Sequence, residues 1–337
     1  MATTRSSRAS DRRARQASEG RLERRIYLAA AIVGVAVVAI IAAGVILTVV
    51  MPPRATAAQV GDRTLTARDI AVRAKFAAVA ESNTAAAIDP SVAIPLLTRE
   101  EVLRQKVGDL GVSVSDEDMA KELRTRIGVA EDAAGDVFNA GYDRYLRIIP
   151  LSRNEYEHVV RAAVLRRKAV ESFKTKVGEK GPQLHLFGVT SPDQKKLQEM
   201  RDAVAGGKDF TEEAVARGLV TQPAQADLAW FDPQSLPDRI APVRNLKTKE
   251  LFEVIFDQGT GSYFLDQVLE RVEDRTYDDT VKDQVANRQF TGWMKEQETA
   301  LVKPSTLSGT AESWVKRQVE RGMTAANRRS QEAQQGQ

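Results

Sequence analysis

The chain has 337 residues, with 49 lysines and arginines against 46 aspartates and glutamates, two histidines and no cysteine. Without cysteine there are no disulfides, no thiolate catalysis and no cysteine-based zinc or iron–sulfur site; His158 and His185 are too few for a histidine-rich metal site, so no metal or cofactor is expected. In Met1–Arg25, eight arginines stand against three carboxylates, which leaves +5 there and −2 in the remainder of a chain whose net charge is +3; that balance argues against nucleic acid as a partner.

Residues 1–25 are rich in Arg, Ser, Thr and Ala and have nothing with which to build a core, so they read as a disordered basic tail. Ile26–Met51 contains no charged residue. As a helix this run would be about 39 Å long at roughly 1.5 Å per residue, enough for a hydrocarbon core of about 30 Å. A cleaved signal peptide would have a shorter apolar stretch of about 7–15 residues, although Ala55-Thr56-Ala57 offers a small-residue site. A buried core helix would need polar positions along its length. The reading is therefore a transmembrane helix over 26–51. The arginines before it set the orientation, with the N-terminus cytoplasmic and the rest extracytoplasmic, in a single pass of the cell (inner) membrane.

Beyond the anchor, Gln59–Leu65 reads as a short strand turning at Gly61-Asp62, and Thr66 caps a helix to about Ser82. Thr98–Glu101 has the pattern of a capping box opening a helix with Leu96, Leu103, Val107 and Leu110 on one face, closed by Gly111. Ser115–Asp118 starts a helix to about Ile127. Ser152–Glu155 starts a longer one, with Tyr156, Val159, Ala163, Val170, Phe173 and Val177 inward and His158 on its polar side. Gly178–Pro182 reads as a linker. Leu184–Val189 is the next strand, followed by a helix over Pro192–Ala205 with Leu197, Met200 and Val204 inward, and a short helix at Glu212–Arg217. Asp227–Phe231 follows a polar loop. Leu251–Phe256 and Ser262–Val272 form a hairpin around Gln258–Gly261, and a last helix spans Asp278 to about Leu301, with Val281, Val285 and Trp293 near one stripe. The fold class is α+β: a helical domain over 58–179 with 276–302, an antiparallel-sheet domain over 182–275, and an amphipathic helix with a disordered end over 303–337. In that last segment Trp314, Val315, Val319 and Met323 form a stripe that could pack on its own domain, dock a partner or lie on lipid.

The order of parts resembles the SurA/PrsA/PpiD group of extracytoplasmic folding factors. Val60–Thr66 (VGDRTLT) is similar to the "VNGxxIT" entry of the SurA-type N-terminal domain, and Leu110–Glu117 (LGVSVSDE) to its "LGIxVSDEE" junction. Gly207-Lys-Asp-Phe210 with Ala226–Phe231 (ADLAWF) looks like the parvulin pair "GxDF…GGDLGWF". The likeness covers roughly 58–300. It implies a helical SurA-like chaperone domain, a parvulin-like domain, a returning C-terminal helix, and isomerisation of X–Pro bonds, whose uncatalysed barrier is about 18–20 kcal/mol.

Parvulins use a histidine on the first strand, another on the last, and a nearby Cys or Asp. Here those positions fall on Leu186, Phe264 and Val220 or Thr221. His185 would serve only if the strand slipped by one residue, which would turn its whole pattern over. An apolar floor of Ile240, Trp230 and Phe264 with Leu186 would then bind peptide without catalysing. The expectation is a membrane-anchored chaperone for unfolded or newly exported polypeptides, with the protein export machinery as a further partner. Two alternatives stay open: an active peptidyl-prolyl isomerase using His185, and a non-catalytic membrane scaffold.

Overall fold

The computed structural model describes residues 34–81, 85 and 89–335. The basic tail and residues 26–33 of the expected membrane helix lie outside the described residues. Residues 34–45 are α-helical and Ile46–Val50 continue as a π-helix; every residue from 34 to 50 is exposed. Among the described residues, no helix is long and apolar enough to cross a membrane.

Next comes a hairpin of β1 (Thr56–Val60) and β2 (Arg63–Thr66). Helix α1 (Ala67–Val79) starts on a capping box: Thr66 Oγ1 accepts from the Asp69 N–H, and the Asp69 carboxylate accepts from the Thr66 N–H at 2.8 Å. Helix α2 (Ala93–Lys106) corrects the expected start at Thr98. Thr98 is already inside the helix, its hydroxyl donating to the Pro95 carbonyl, and Glu101 pairs with Arg104 instead of capping. Pro95 is tolerated because first-turn N–H groups have no helical partner to lose. Helix α3 (Asp116–Ile127) begins on a capping box between Ser115 and Asp118.

Helix α4 (Gly135–Ile148) was not foreseen, since Gly135, Asn139 and Gly141 lower its propensity. What holds it is tertiary packing: the buried Tyr142 ring lies 6.0 Å from that of Tyr156. In α5 (Arg153–Lys174) the buried face is Tyr156, Val159, Val160, Val164, Leu165 and Ala169, so Ala163, Val170 and Phe173 sit at its margin. The supposed linker is also corrected, because β3 runs Lys180–Ser191 and includes Gly181 and Pro182. Pro182 falls at a break in register between Gly181 and Gln183, where a missing N–H costs the ladder nothing.

After β3 come α6 (Gln194–Ala205), α7 (Phe210–Ala216), β4 (Asp227–Phe231), β5 (Ile255–Asp257) and β6 (Ser262–Thr276). Helix α8 (Asp279–Leu301) leads to β7 (Val302–Pro304) and α9 (Gly309–Gln335), which continues through the stretch read as disordered. The fold class is α+β with antiparallel sheets, ordered β2-β1-β7 and β4-β3-β6-β5.

The chain forms two compact units. The first holds residues up to Thr98, Asp143–Ser152 and Val302 onward. In it the returning chain adds β7 to β1, pairing Val60 with Val302, and α9 packs on α1 through Ala311, Val315 and Val319 against Ala67, Ile70 and Ala74. The amphipathic stripe thus packs on its own domain. The second unit holds Arg99–Tyr142 and Arg153–Leu301. In it Lys168 reaches Asp118 at 2.6 Å and Lys174 reaches Asp283 at 2.8 Å, while Phe173 of α5 meets Phe290 and Trp293 of α8.

Candidate functional site: the two faces of the β3 strand

Strand β3 alternates, and its two faces meet different partners. Leu184 and Leu186 point into a cluster with Leu236, Ile240, Phe264 and Val268, closed by the turn Pro233–Ser235 and the 3-10 run Asp238–Asn245. Phe187 and Val189 point the other way, onto Leu197, Met200 and Phe210 of α6 and α7. Arg271 ties the first cover down by donating to the carbonyls of Arg244 and Leu246, the latter at 3.0 Å.

The structure brings together Leu186, Ile240 and Phe264, at 0, 8 and 6 % exposure. None of the three is more than 8 % exposed, and a buried carboxylate, Asp266, lies on the same face of β6 between Phe264 and Val268, opposite Gly188. Trp230 is not with them. It pairs with His185 across β3 and β4 and stacks on its ring, centroids 4.8 Å apart, so Phe231 fills the place beside the cluster. Val220 packs partly against the α6–α7 side, and Thr221 is tied to Gln225.

His185 lies on the face opposite Leu186, its ring edge-on to Phe187 at 5.8 Å. Its Nε2 donates to Asp227 Oδ1 at 2.8 Å. Burial pushes the Asp227 carboxyl up, but the Ala229 N–H and the His185 ring pull it further down, below the ordinary aspartate range. A carboxylate only accepts, so Nε2 carries the proton and a neutral ring presents Nδ1 as its lone pair. Arg275 closes the group, its guanidinium 4.1 Å from the Trp230 ring centroid and its Nη1 donating to the buried Gln183.

The bend that sets up this pair is in β4. Between Asp227 and Trp230 the strand carries one residue more than β3, and Ala229 takes a positive φ of 71°. Asp227 Oδ1 accepts the Ala229 N–H at 2.8 Å, an Asx turn that aims the same oxygen at His185. Leu228 is thereby thrown over Gly188, where a Cβ would lie 2.4 Å from its Cδ1. Sequence reasoning placed Asp227 in a motif but missed it as the partner of His185; an Asp two residues before a non-glycine in the glycine slot of "DLGWF" was the available signal. Among the described residues, no group of three or more His, Asp or Glu side chains could hold a metal ion.

No protein-family model matches the chain, and no curated protein matches it. Solved structures do. The chain is similar to the peptidylprolyl isomerase PrsA of Bacillus anthracis, 13% identical over 68% of this chain and 95% of that one, TM-score 0.35. It is similar to the foldase PrsA of Streptococcus pneumoniae, 14% identical over 71% and 95%, TM-score 0.34. A SurA-like chaperone of Campylobacter jejuni is 13% identical over 75% and 99%, TM-score 0.28. Solved structures it resembles include PrsA foldases and a SurA-like chaperone. The likeness is weak in both sequence and superposition.

Proposed function

We propose that this chain is a membrane-tethered folding factor of the extracytoplasmic side, which binds unfolded exported polypeptides and does not isomerise proline. The observation that carries the second half is the filled cluster at Leu186, Ile240 and Phe264. An isomerase must bind the twisted amide better than either planar form, which takes an accessible pocket with a few placed polar groups. At the positions where the family resemblance puts imidazoles, this chain has a leucine and a phenylalanine inside a core. The first half rests on the resemblance carried by Val60–Thr66, Leu110–Glu117 and Ala226–Phe231.

The tether is supported by the uncharged run Ile26–Met51 and by the exposure of its described part, where Val35 is 70 % and Ile40 71 % exposed. That much apolar surface needs hydrocarbon or a partner. Because the chain has no cysteine, single introduced cysteines report topology cleanly. In intact cells a membrane-impermeant maleimide is expected to label Ser305→Cys and not Ser6→Cys; the reverse pattern overturns the orientation. For the folding role, the full chain in detergent is expected to suppress aggregation of an unfolded client, and no suppression would leave the scaffold reading.

A second reading, catalysis at His185, is favoured by the short contact to Asp227 and by the aromatic rings of Trp230 and Phe187 beside the imidazole. Proline isomerisation above background that is lost in His185→Ala would select it.

A further inference from the structure

We propose that a groove on α8, walled by polar residues, holds extended polypeptide by its main chain. This rests on the folding-factor reading and names where the client sits. The groove is a hollow of about 770 Å³ between the turn Pro233–Ser235 and one side of α8, lined by Gln234, Gln284, Asn287, Arg288, Thr291 and Gly292 among others. Its lining has no Leu, Ile, Val, Met or aromatic side chain. Amide side chains both donate and accept, as a peptide unit does, so such a wall reads backbone and ignores sequence. That suits clients that share only a main chain.

The walls are fixed in advance. Asp232, 2 % exposed, accepts from Arg288 Nε at 2.8 Å, and its own N–H donates to Gln284 Oε1 at 2.9 Å. The Ser235 hydroxyl donates to the same carboxylate. Gln284 thus spends its carbonyl on the wall. Among the described residues its amino group and the two terminal nitrogens of Arg288 have no protein partner. They are three donor-bearing groups for peptide carbonyls, and Asn287, whose amino group donates to the Asp283 carbonyl at 2.8 Å, keeps its Oδ1 to accept a peptide N–H, all on a surface already tied in place, which lowers the ordering cost of binding.

Gly292 is the second sign. It lies inside a helix running Asp279–Leu301, where glycine is less favourable than alanine. A Cβ there would meet nothing within 4 Å, so no neighbour in the fold requires the bare backbone. What it provides is a low floor over which another chain can approach closely.

The test uses the full chain in detergent and a fluorescent, unstructured peptide, beside the same peptide with its backbone amides N-methylated. Gly292→Trp and Asn287→Trp fill the groove from its floor and its exposed side, with circular dichroism as the check on folding. Binding is expected to weaken about tenfold, or about 1.4 kcal/mol, in each folded variant and for the methylated peptide. If wild type binds and both variants bind equally well, the groove is overturned and the folding-factor reading stands. If the variants weaken binding but the methylated peptide binds as well as the plain one, main-chain recognition is overturned. If wild type binds neither peptide, the folding-factor reading falls and this inference with it. Should one variant fail to fold, the other and the methylated peptide decide.

Discussion

His185 Nε2 lies 2.8 Å from Asp227 Oδ1 while its ring stacks on Trp230, so the histidine of the sheet is committed to an edge pair on the face away from Leu186. The Asp227 carboxyl sits below its ordinary range: burial raises it, but the Ala229 N–H and the imidazole lower it more. A depressed carboxyl adds stability above its unfolded pKa of about 4 and loses it as pH falls through the folded value. Unfolding midpoints measured on acidification below about pH 4 are therefore expected to fall less steeply in Asp227→Asn than in wild type. Equal slopes would mean that this carboxyl does not change its proton affinity on folding.

Ala229 holds a φ of 71°, a region that costs a non-glycine residue about 1–2 kcal/mol. Glycine would relieve that, against about 0.4–1 kcal/mol of extra freedom in the unfolded chain. Ala229→Gly is expected to stabilise the protein by roughly 0.5 kcal/mol, and Ala229→Val to destabilise it, in denaturant melts. A stability loss in Ala229→Gly would contradict the account of the β4 bend.

Val319 is fully buried between α9 and α1. Val319→Ala removes about two methylene equivalents from a packed site and is expected to cost about 2 kcal/mol in a denaturant melt. It should also speed proteolysis within the β1–β2 hairpin and α1. A helix whose stripe served only a partner or lipid would show neither change.

Much of this architecture was legible because local chemistry and tertiary packing agree. Thr66 with Asp69 and Ser115 with Asp118 cap their helices as their spacing requires, and Leu197, Met200 and Val204 all turn inward. Legibility failed where long-range contacts override local preference. Tyr142 pins α4 despite its glycines, and a register break admits Pro182 into β3. At the candidate site, strand alternation correctly separated His185 from Leu186. The place of Trp230 was misread because the extra residue in β4 shifts its parity, and only the cross-strand register reveals that. The tie from Asp232 to Arg288 joins residues 56 apart in sequence and left no local signal.

The central claim is binding without catalysis, and one experiment reads both halves: refolding of an aggregation-prone client limited by proline isomerisation, with and without the full chain in detergent. The account predicts a higher yield of native client and no acceleration of the slow phase, which uncatalysed takes on the order of 10–100 s. An accelerated slow phase would contradict the closed cluster at Leu186, Ile240 and Phe264, and an unchanged yield would contradict client binding itself.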